Sequence, residues 1–224
     1  RTDCSIICVS QFICGLLPVG LCNGCRLVCL AVIVDRTVCN SQGDGLHKLS
    51  GITGLAGQGQ DLFLDGLFGL KKADYRFFFN GKEIKCGDNK ELIKNGIYYL
   101  SEDRSTTSLF LDSPIWKNIT FGTEDRHPEF LKWKQCPALS FINKKAIDLH
   151  SKEMIDKLNI VCQGIDQKVR ELSGGNQQKV CVSRALTFQP ELLLIGEPTR
   201  GIDVYSKELI LQWIQKMNEE LGTT

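Results

Sequence analysis

Three short runs in this 224-residue sequence have the residue types and spacing of phosphate chemistry. The first is Gly54-Leu-Ala-Gly57-Gln58-Gly59-Gln60-Asp61. It keeps the glycine frame of a loop that turns backbone N–H groups toward a phosphate and then opens a helix. That chemistry also needs a Lys to neutralise phosphate charge and a hydroxyl to hold Mg²⁺, and here Gln60 and Asp61 occupy those two positions. A tight strand–helix turn accounts for the same glycine spacing. The second run is Leu172-Ser-Gly-Gly-Asn-Gln-Gln-Lys179, a Ser and two Gly at the start of a helix. It offers a hydroxyl and open N–H groups to an anion, although Ser173 acting only as a helix cap gives the same pattern. The third is Leu192-Leu-Leu-Ile195-Gly196-Glu197, an apolar strand that ends in a carboxylate. A carboxylate at the carboxyl edge of a sheet can polarise water for attack, and a solvated strand end looks the same. The order and spacing of the second and third runs together favour the chemical reading.

The elements that must position these groups alternate between strand and helix from Leu46 onward, the pattern of an α/β domain with a largely parallel sheet. Leu49 to Thr53 predicts a strand running into the glycine loop, and Gln60 to Phe68 a helix. Tyr75 to Lys85 predicts a hairpin turning at Asn80-Gly81, and Ile97 to Leu100 a buried strand. Ser113 to Asp166 reads as mostly helical, with loops at Pro128 and Pro137. Ser173 caps a helix running from about Gly175 to Phe188, closed by Pro190. Leu192 to Ile195 is apolar throughout, as a strand covered on both faces requires. The last helix, about Tyr205 to Leu221, gathers Leu209, Ile210, Trp213, Ile214, Met217 and Leu221 on one face.

Composition narrows the class of function. With 27 basic and 26 acidic side chains the net charge is +1, and no Lys/Arg stripe appears, so nucleic acid is excluded as a partner. A hydrophobic share of 42% and a charged share of 24% suit a globular domain. Residues 1–45 stand apart, because Cys4, Cys8, Cys14, Cys22, Cys25, Cys29 and Cys39 crowd into them and no formal charge falls between Cys4 and Cys25. That stretch is long enough for a membrane span, but Pro18, Gln11, Asn23 and its glycines argue against one. Cys22 and Cys25 have half-zinc-site spacing without a second pair. A third reading makes the segment foreign to the domain, since its composition stops abruptly near Asp44.

From about Leu49 to Leu221 the sequence resembles the nucleotide-binding domain of ABC transporters. Leu-Ser-Gly-Gly-Asn-Gln-Gln matches the family signature, Leu-Leu-Leu-Ile-Gly-Glu-Pro its Walker B strand, and Gly201-Ile-Asp203 its D-loop. Tyr99-Leu-Ser-Glu-Asp-Arg104, Leu109 to Asp112, Asn118-Ile119 and Pro198 to Asp203 are similar to the carboxyl-terminal half of double-length ATPases serving importers of ribose, galactose, xylose and similar monosaccharides, a subfamily shared with some nucleoside importers.

The resemblance implies a P-loop NTPase-like ABC ATPase domain over 46–224, with a parallel-rich central sheet and a helical signature subdomain at about 105–178, C-terminally truncated. It implies head-to-tail pairing, in which ATP lies between the phosphate loop of one half and the signature of the other. Ser173, Gly174 and Gly175 would then grip the γ-phosphate of ATP bound on the partner half, with Gln178 orienting the contact. Gly54, Gly57, Gln58 and Gly59, with Gln60 and Asp61, would form this half's own nucleotide site. Glu197 would be its general base, and Glu102 would stand where most relatives carry the γ-phosphate-sensing Gln that faces the permease. Asp203 would couple the two sites. The implied partners are a first nucleotide-binding half, membrane permease subunits and, indirectly, a sugar-binding protein, with the chain peripheral on the cytoplasmic face of the cell membrane. The implied cofactors are ATP and Mg²⁺.

Three departures weaken this half's own site. The phosphate-loop Lys is absent, Gly196 replaces the Walker B Asp that supports Mg²⁺, and the sequence stops at Thr224, before the expected switch His. None of His47, His127 and His150 fits that position. The expectation is a transport ATPase component with little or no turnover of its own, and the competing class is a non-catalytic module that binds partners.

Overall fold

The computed structural model describes residues 6–8, 31–33, 51–53, 60–71, 76–80, 82–85, 87–132 and 141–224. The contacts divide the chain into two compact units, Arg1–Tyr99 with Thr224 and Leu100–Thr223. The glycines of the phosphate-type loop, the Cys-rich run from Cys14 to Cys29 and the composition boundary near Asp44 all lie outside the described residues.

In the first unit, β1 (Ile6–Cys8) pairs in parallel with β4 (Arg76–Phe79), and β4 pairs antiparallel with β5 (Lys82–Lys85). The β4–β5 hairpin is the one expected from Asn80-Gly81, and Asn80 takes the left-handed backbone (φ 50) that such a turn uses. β2 (Ala31–Ile33) pairs antiparallel with β3 (Gly51–Thr53), which falls within the strand expected over Leu49 to Thr53; Leu49 and Ser50 lie outside the described residues. Helix α1 (Gln60–Phe68) begins and ends where expected, and α2 (Asn89–Lys94) is capped by the Asp88 carboxylate, which accepts from the Glu91 N–H at 3.1 Å. Leu67, Phe77, Ile84, Leu92 and Ile97 are buried. Tyr99, in β6 (Ile97–Leu100), donates its hydroxyl to Asp65 at 3.0 Å and lies 5.4 Å from the Phe68 ring.

The second unit carries the helical part. After β6 the chain makes one wide turn, Arg104–Ser108, closed by the Leu109 N–H donating to the Arg104 carbonyl at 2.9 Å. Helix α3 (Ile115–Thr120), a 3₁₀ turn at Pro128–Phe130 and α4 (Lys144–Lys157) follow, with a two-residue antiparallel pair, β7 (Leu131–Lys132) and β8 (Phe141–Ile142), between the turn and α4. Then come α5 (Gly174–Phe188), β9 (Leu192–Ile195) and α6 (Val204–Leu221). The β7–β8 pair is a departure from the helical expectation for this stretch; two-residue strands leave no periodicity to read. In β9 only Leu192 is buried, and Leu193, Leu194 and Ile195 are half-buried within the described residues, short of the full cover expected from the sequence. Along α6, Ile210 and Met217 are buried and Trp213 and Ile214 half-buried, but Leu221, in the last turn before the Gly222 cap, is 48% exposed and does not join the apolar face expected of it.

Packing in this unit converges on α5, whose side chains from Gln178 to Phe188 are all buried. Val180, Cys181 and Leu186 join Leu109, Ile115, Ile119, Met154, Leu158, Val169 and Ile210 in one apolar core. Burial pushes the Cys181 thiol up to about 12, against the smaller opposing pull of the Arg184 and Arg104 guanidinium groups, so it stays protonated and acts as a small apolar group. Arg184 is buried in the same region without a carboxylate among the hydrogen-bond partners its guanidinium uses. It donates to the carbonyl of Asn118, to the carbonyl of Ser108 (2.7 Å) and to the side-chain oxygen of Asn118 (2.9 Å). Asn118 in turn accepts from the Phe110 N–H (2.9 Å) and donates to the Phe110 carbonyl (3.0 Å). Ladder-like bonds from Ile115 N–H to Gln167 O (3.0 Å), Val169 N–H to Ser113 O (3.2 Å) and Arg170 N–H to Leu111 O (2.9 Å) fix the strand of chain that leads into α5.

Replacing Arg184 by Ala removes the donor to the buried Asn118 carbonyl and to the part-buried Ser108 carbonyl, a buried acceptor costing about 1–3 kcal/mol when left unsatisfied, while Asn118 Oδ1 keeps the Phe110 N–H. The expected loss is about 3 kcal/mol, which for a chain of this size is a fall in Tm of roughly 6–12 °C. Arg184→Lys should recover little of it, because one ammonium cannot reproduce the fork that reaches both Asn118 and Ser108. Thermal melts of the two variants check this, and parental stability in Arg184→Lys would show that the fork geometry is unimportant.

Candidate functional site

Ser173 has extended backbone angles and caps α5, as its position in the sequence suggested. Its Oγ accepts from the Asn176 N–H at a long 3.4 Å and from the Asn176 side-chain amide at 3.0 Å, and Ser173 itself is exposed. Asn176 is pinned from the other side, since its Oδ1 accepts from the Val161 N–H at 3.0 Å. The first N–H groups of a helix have no acceptor within it and carry partial positive charge, so the turn at Ser173, Gly174 and Gly175 is a polar surface suited to an anion. Gln178, expected to orient such a contact, is 3% exposed and sits inside α5. Its neighbour Gln177 supports the turn from below, donating to the carbonyls of Val169 and Leu172, both at 3.2 Å.

The two glycines are explained by what crowds them. A Cβ on Gly174 would stand 2.9 Å from an Arg104 guanidinium nitrogen and 3.7 Å from the Gly201 carbonyl oxygen. A Cβ on Gly175 would stand 3.0 Å from the Asp203 carboxylate and 3.1 Å from the Ser206 hydroxyl. The signature turn therefore packs directly on the Gly201–Asp203 loop. Asp203 caps α6 by accepting from the Ser206 N–H at 2.9 Å. The bonds from the Ser206 N–H and hydroxyl hold its carboxyl below the usual carboxylate range, with a smaller contribution from the Lys179 ammonium.

Glu197 follows β9 on a left-handed backbone (φ 35), an uncommon conformation for a residue with a side chain. Its carboxylate is exposed and lies 3.9 Å from the Arg200 guanidinium. Gly196, just before it, is buried and donates its N–H to the Leu100 carbonyl at 2.9 Å; it brings no side chain that could support a metal. Glu102 is largely covered and forms an ion pair with Arg200. Arg104 donates to the Arg200 carbonyl at 3.1 Å. Glu102, Arg104, Ser173 to Gly175 and Arg200 to Asp203 thus meet in one cluster within the second unit.

Gly54, Gly57, Gln58 and Gly59 lie outside the described residues; Gln60 and Asp61 are the first two residues of α1. His127 and His150 sit together at the other end of α5: both face Thr187, at 2.8 Å from its carbonyl and its hydroxyl respectively. Burial first, and then the neighbouring His127, holds the His150 imidazole below its ordinary value. Arg104 and Arg200 are the site residues that sequence reasoning left without a role. Both stand in the runs Ser101-Glu-Asp-Arg104 and Pro198-Thr-Arg200, but 96 positions separate them, and only the fold shows that they touch.

Comparison with known proteins gives the family and the fold. The Ribose import ATP-binding protein RbsA of Caldanaerobacter subterraneus is 34% identical over 174 residues, 77% of this chain and 34% of that protein. The Xylose import ATP-binding protein XylG of Thermoanaerobacter pseudethanolicus is 36% identical over 172 residues, 76% of this chain and 32% of that protein. The chain thus spans about a third of the length of these curated relatives. Among solved structures, the dimeric post-hydrolysis state of the ATP-binding cassette MJ0796 bound to ADP and Pi superposes with a TM-score of 0.57 at 22% identity, covering 74% of this chain and 67% of that one. That likeness gives the fold: an ABC ATPase domain of the P-loop NTPase type. Residues 46–200 match the ABC transporter family, and the chain belongs to it.

Proposed function

We propose that this chain is part of the ATP-binding component of an importer for simple sugars, and that it lends its signature turn to ATP held by a partner nucleotide-binding half. The observation that carries the reading is the exposed Ser173 hydroxyl at the head of the 15-residue helix α5, backed by the D-loop residues Gly201 and Asp203. An anion reaching this turn meets a hydroxyl and first-turn N–H groups, and no side chain on Gly174 or Gly175 stands in its way. The relatives, ribose and xylose import ATP-binding proteins, support simple sugars as cargo. A nucleoside importer is the neighbouring alternative. The partners in this reading are a first nucleotide-binding half, permease subunits and, through them, a sugar-binding protein. The chain would sit peripherally on the cytoplasmic face of the membrane; among the described residues no helix is long and apolar enough to cross it.

This half's own site is a poor match to MgATP. By the family's motif Gln60 would supply no charge, Asp61 would bring a carboxylate to the position of the Mg²⁺-binding hydroxyl, and Gly196 would offer no support to Mg²⁺, which leaves Glu197 as general base without a metal partner. Hydrolysis in this chemistry depends on oriented charge, so the chain alone is read as binding nucleotide weakly and turning over little. A partner-binding module without turnover is the second reading, favoured by the bare Gly196.

Two outcomes test these readings. Ser173→Ala should cost less than about 1 kcal/mol of stability, because its capping bond is long, yet it should sharply lower ATPase activity in the assembled transporter. Thermal destabilisation with full activity would instead make Ser173 a cap and nothing more. In the isolated chain, Gln60→Lys with Asp61→Ser should raise MgATP affinity more than Gly196→Asp does. Two unit charges ~4 Å apart repel by about 4 kcal/mol at an effective dielectric of ~20, which is roughly a thousandfold in affinity. Calorimetry compares the two variants; tight, Mg²⁺-dependent binding from Gly196→Asp alone would make Asp61 a working metal ligand.

A further inference from the structure

We infer that Arg104 is a positioning residue, which ties the loop after β6 to the D-loop and, through the D-loop, sets the signature turn. Its functional consequence rests on the reading of that turn given above. Four observations lead to it.

The segment that carries Arg104 is itself held. The Asp103 carboxylate accepts from the N–H groups of Ser105 and Thr106, both at 3.1 Å, and from their hydroxyls at 2.9 and 2.6 Å. These bonds, the Thr106 hydroxyl first, bring its carboxyl down to about 2, so the acceptor is present at every working pH. Arg104 therefore leaves a turn that is already built. Next, one guanidinium nitrogen donates to the Arg200 carbonyl at 3.1 Å, while Glu102, two residues earlier, pairs with the Arg200 side chain. Arg200 is gripped at its backbone and at its charged end by the same short loop. Third, the other Arg104 nitrogen occupies the space that a Cβ on Gly174 would need, 2.9 Å away, and lies 3.9 Å from where a Cβ on Gly201 would stand. Gly201 takes φ +65, the left-handed region in which a glycine is favoured. Finally, the residue beyond Ile202 is Asp203, which caps α6 and presses on Gly175.

The contacts form a continuous chain: Glu102 and Arg104 to Arg200, Arg200 to Gly201 and Asp203, and these to Gly174 and Gly175. A displacement of the loop after β6 must move the Arg200 carbonyl or break the Arg104 bond. The planar guanidinium suits the task, because its fixed fork can bond a carbonyl and fill the Gly174 cleft together, whereas an ammonium is a single point of donation. Arg104 acts on the site only through the D-loop and the glycines.

The test uses Arg104→Ala and the gentler Arg104→Lys in the full chain. Hydrogen exchange of the backbone amides at 200–203 should accelerate about tenfold in Arg104→Ala, while exchange in α4 stays unchanged; an unlinked loop opens more readily. In the assembled transporter, kcat should fall about tenfold, equivalent to roughly 1.4 kcal/mol in barrier, with KM for ATP unaltered and partial recovery in Arg104→Lys. Exchange at 200–203 equal to that of the parent overturns the tether. Accelerated exchange with unaltered kcat overturns the positioning role. Ser173→Ala, measured beside them, separates the two levels: full activity there with faster exchange in Arg104→Ala upholds the tether and defeats the reading of the signature turn on which its function rests.

Discussion

A buried cation that, among the described residues, is served by neutral acceptors governs the second unit. Arg184 sits in the middle of α5, and its guanidinium reaches the Asn118 carbonyl, the Asn118 side chain and the Ser108 carbonyl. Burying a charge is tolerable only when its donors are satisfied, so the backbone around residues 108–118 must hold these oxygens in place. Asn118 meets that demand by bonding both polar groups of Phe110. The Phe110 ring, 5.6 Å from the guanidinium, covers it on a third side. The position of α5 relative to α3 and to the chain after β6 is thereby fixed to within hydrogen-bond tolerance. The signature turn, being the first turn of α5, inherits that placement.

The turn itself combines a rigid back with an open front. Behind it, Gly174 and Gly175 let Arg104, Gly201 and Asp203 approach more closely than any side chain would allow. In front, Ser173 remains exposed. Intrachain packing alone thus accounts for a glycine at both positions. Asp203 is shared, since its carboxylate caps α6 while it lies against the signature. Lys179, one helical turn further along α5, donates to the Asn159 carbonyl at 2.9 Å and stands over the Tyr205 ring, which joins α6 to the same corner.

Much of this frame was legible in the sequence, because it rests on local rules. The Asn80-Gly81 hairpin, the start of α1 at Gln60, the Ser173 cap and the apolar β9 each follow from neighbours a few residues apart. The boundaries of α5 and α6 moved by one residue, to Gly174 and Val204, which is the ordinary uncertainty of helix ends. What was not legible depends on distant partners. Arg184 finds its acceptors 66 and 76 positions away, and nothing in a helix of mixed polarity marks one Arg as buried. The same holds for Arg104 and Arg200, visible as members of recognisable runs but mute about each other. The wide turn at Arg104–Ser108 escaped notice because it depends on one Asp collecting four donors, a feature with no periodicity.

The backbone at Glu197 shapes how this position can drift over evolutionary time. At φ 35 a β-branched residue is strained whatever its chemistry, whereas Gly, Asn and Asp fit the conformation more readily. The backbone thus sets a requirement of shape at this position that is separate from any requirement for a carboxylate, and the replacements it would tolerate are Asn, Asp and Gly rather than Val, Ile or Thr. A lineage carrying Asn at this position would thus look chemically conservative for a reason that is purely conformational.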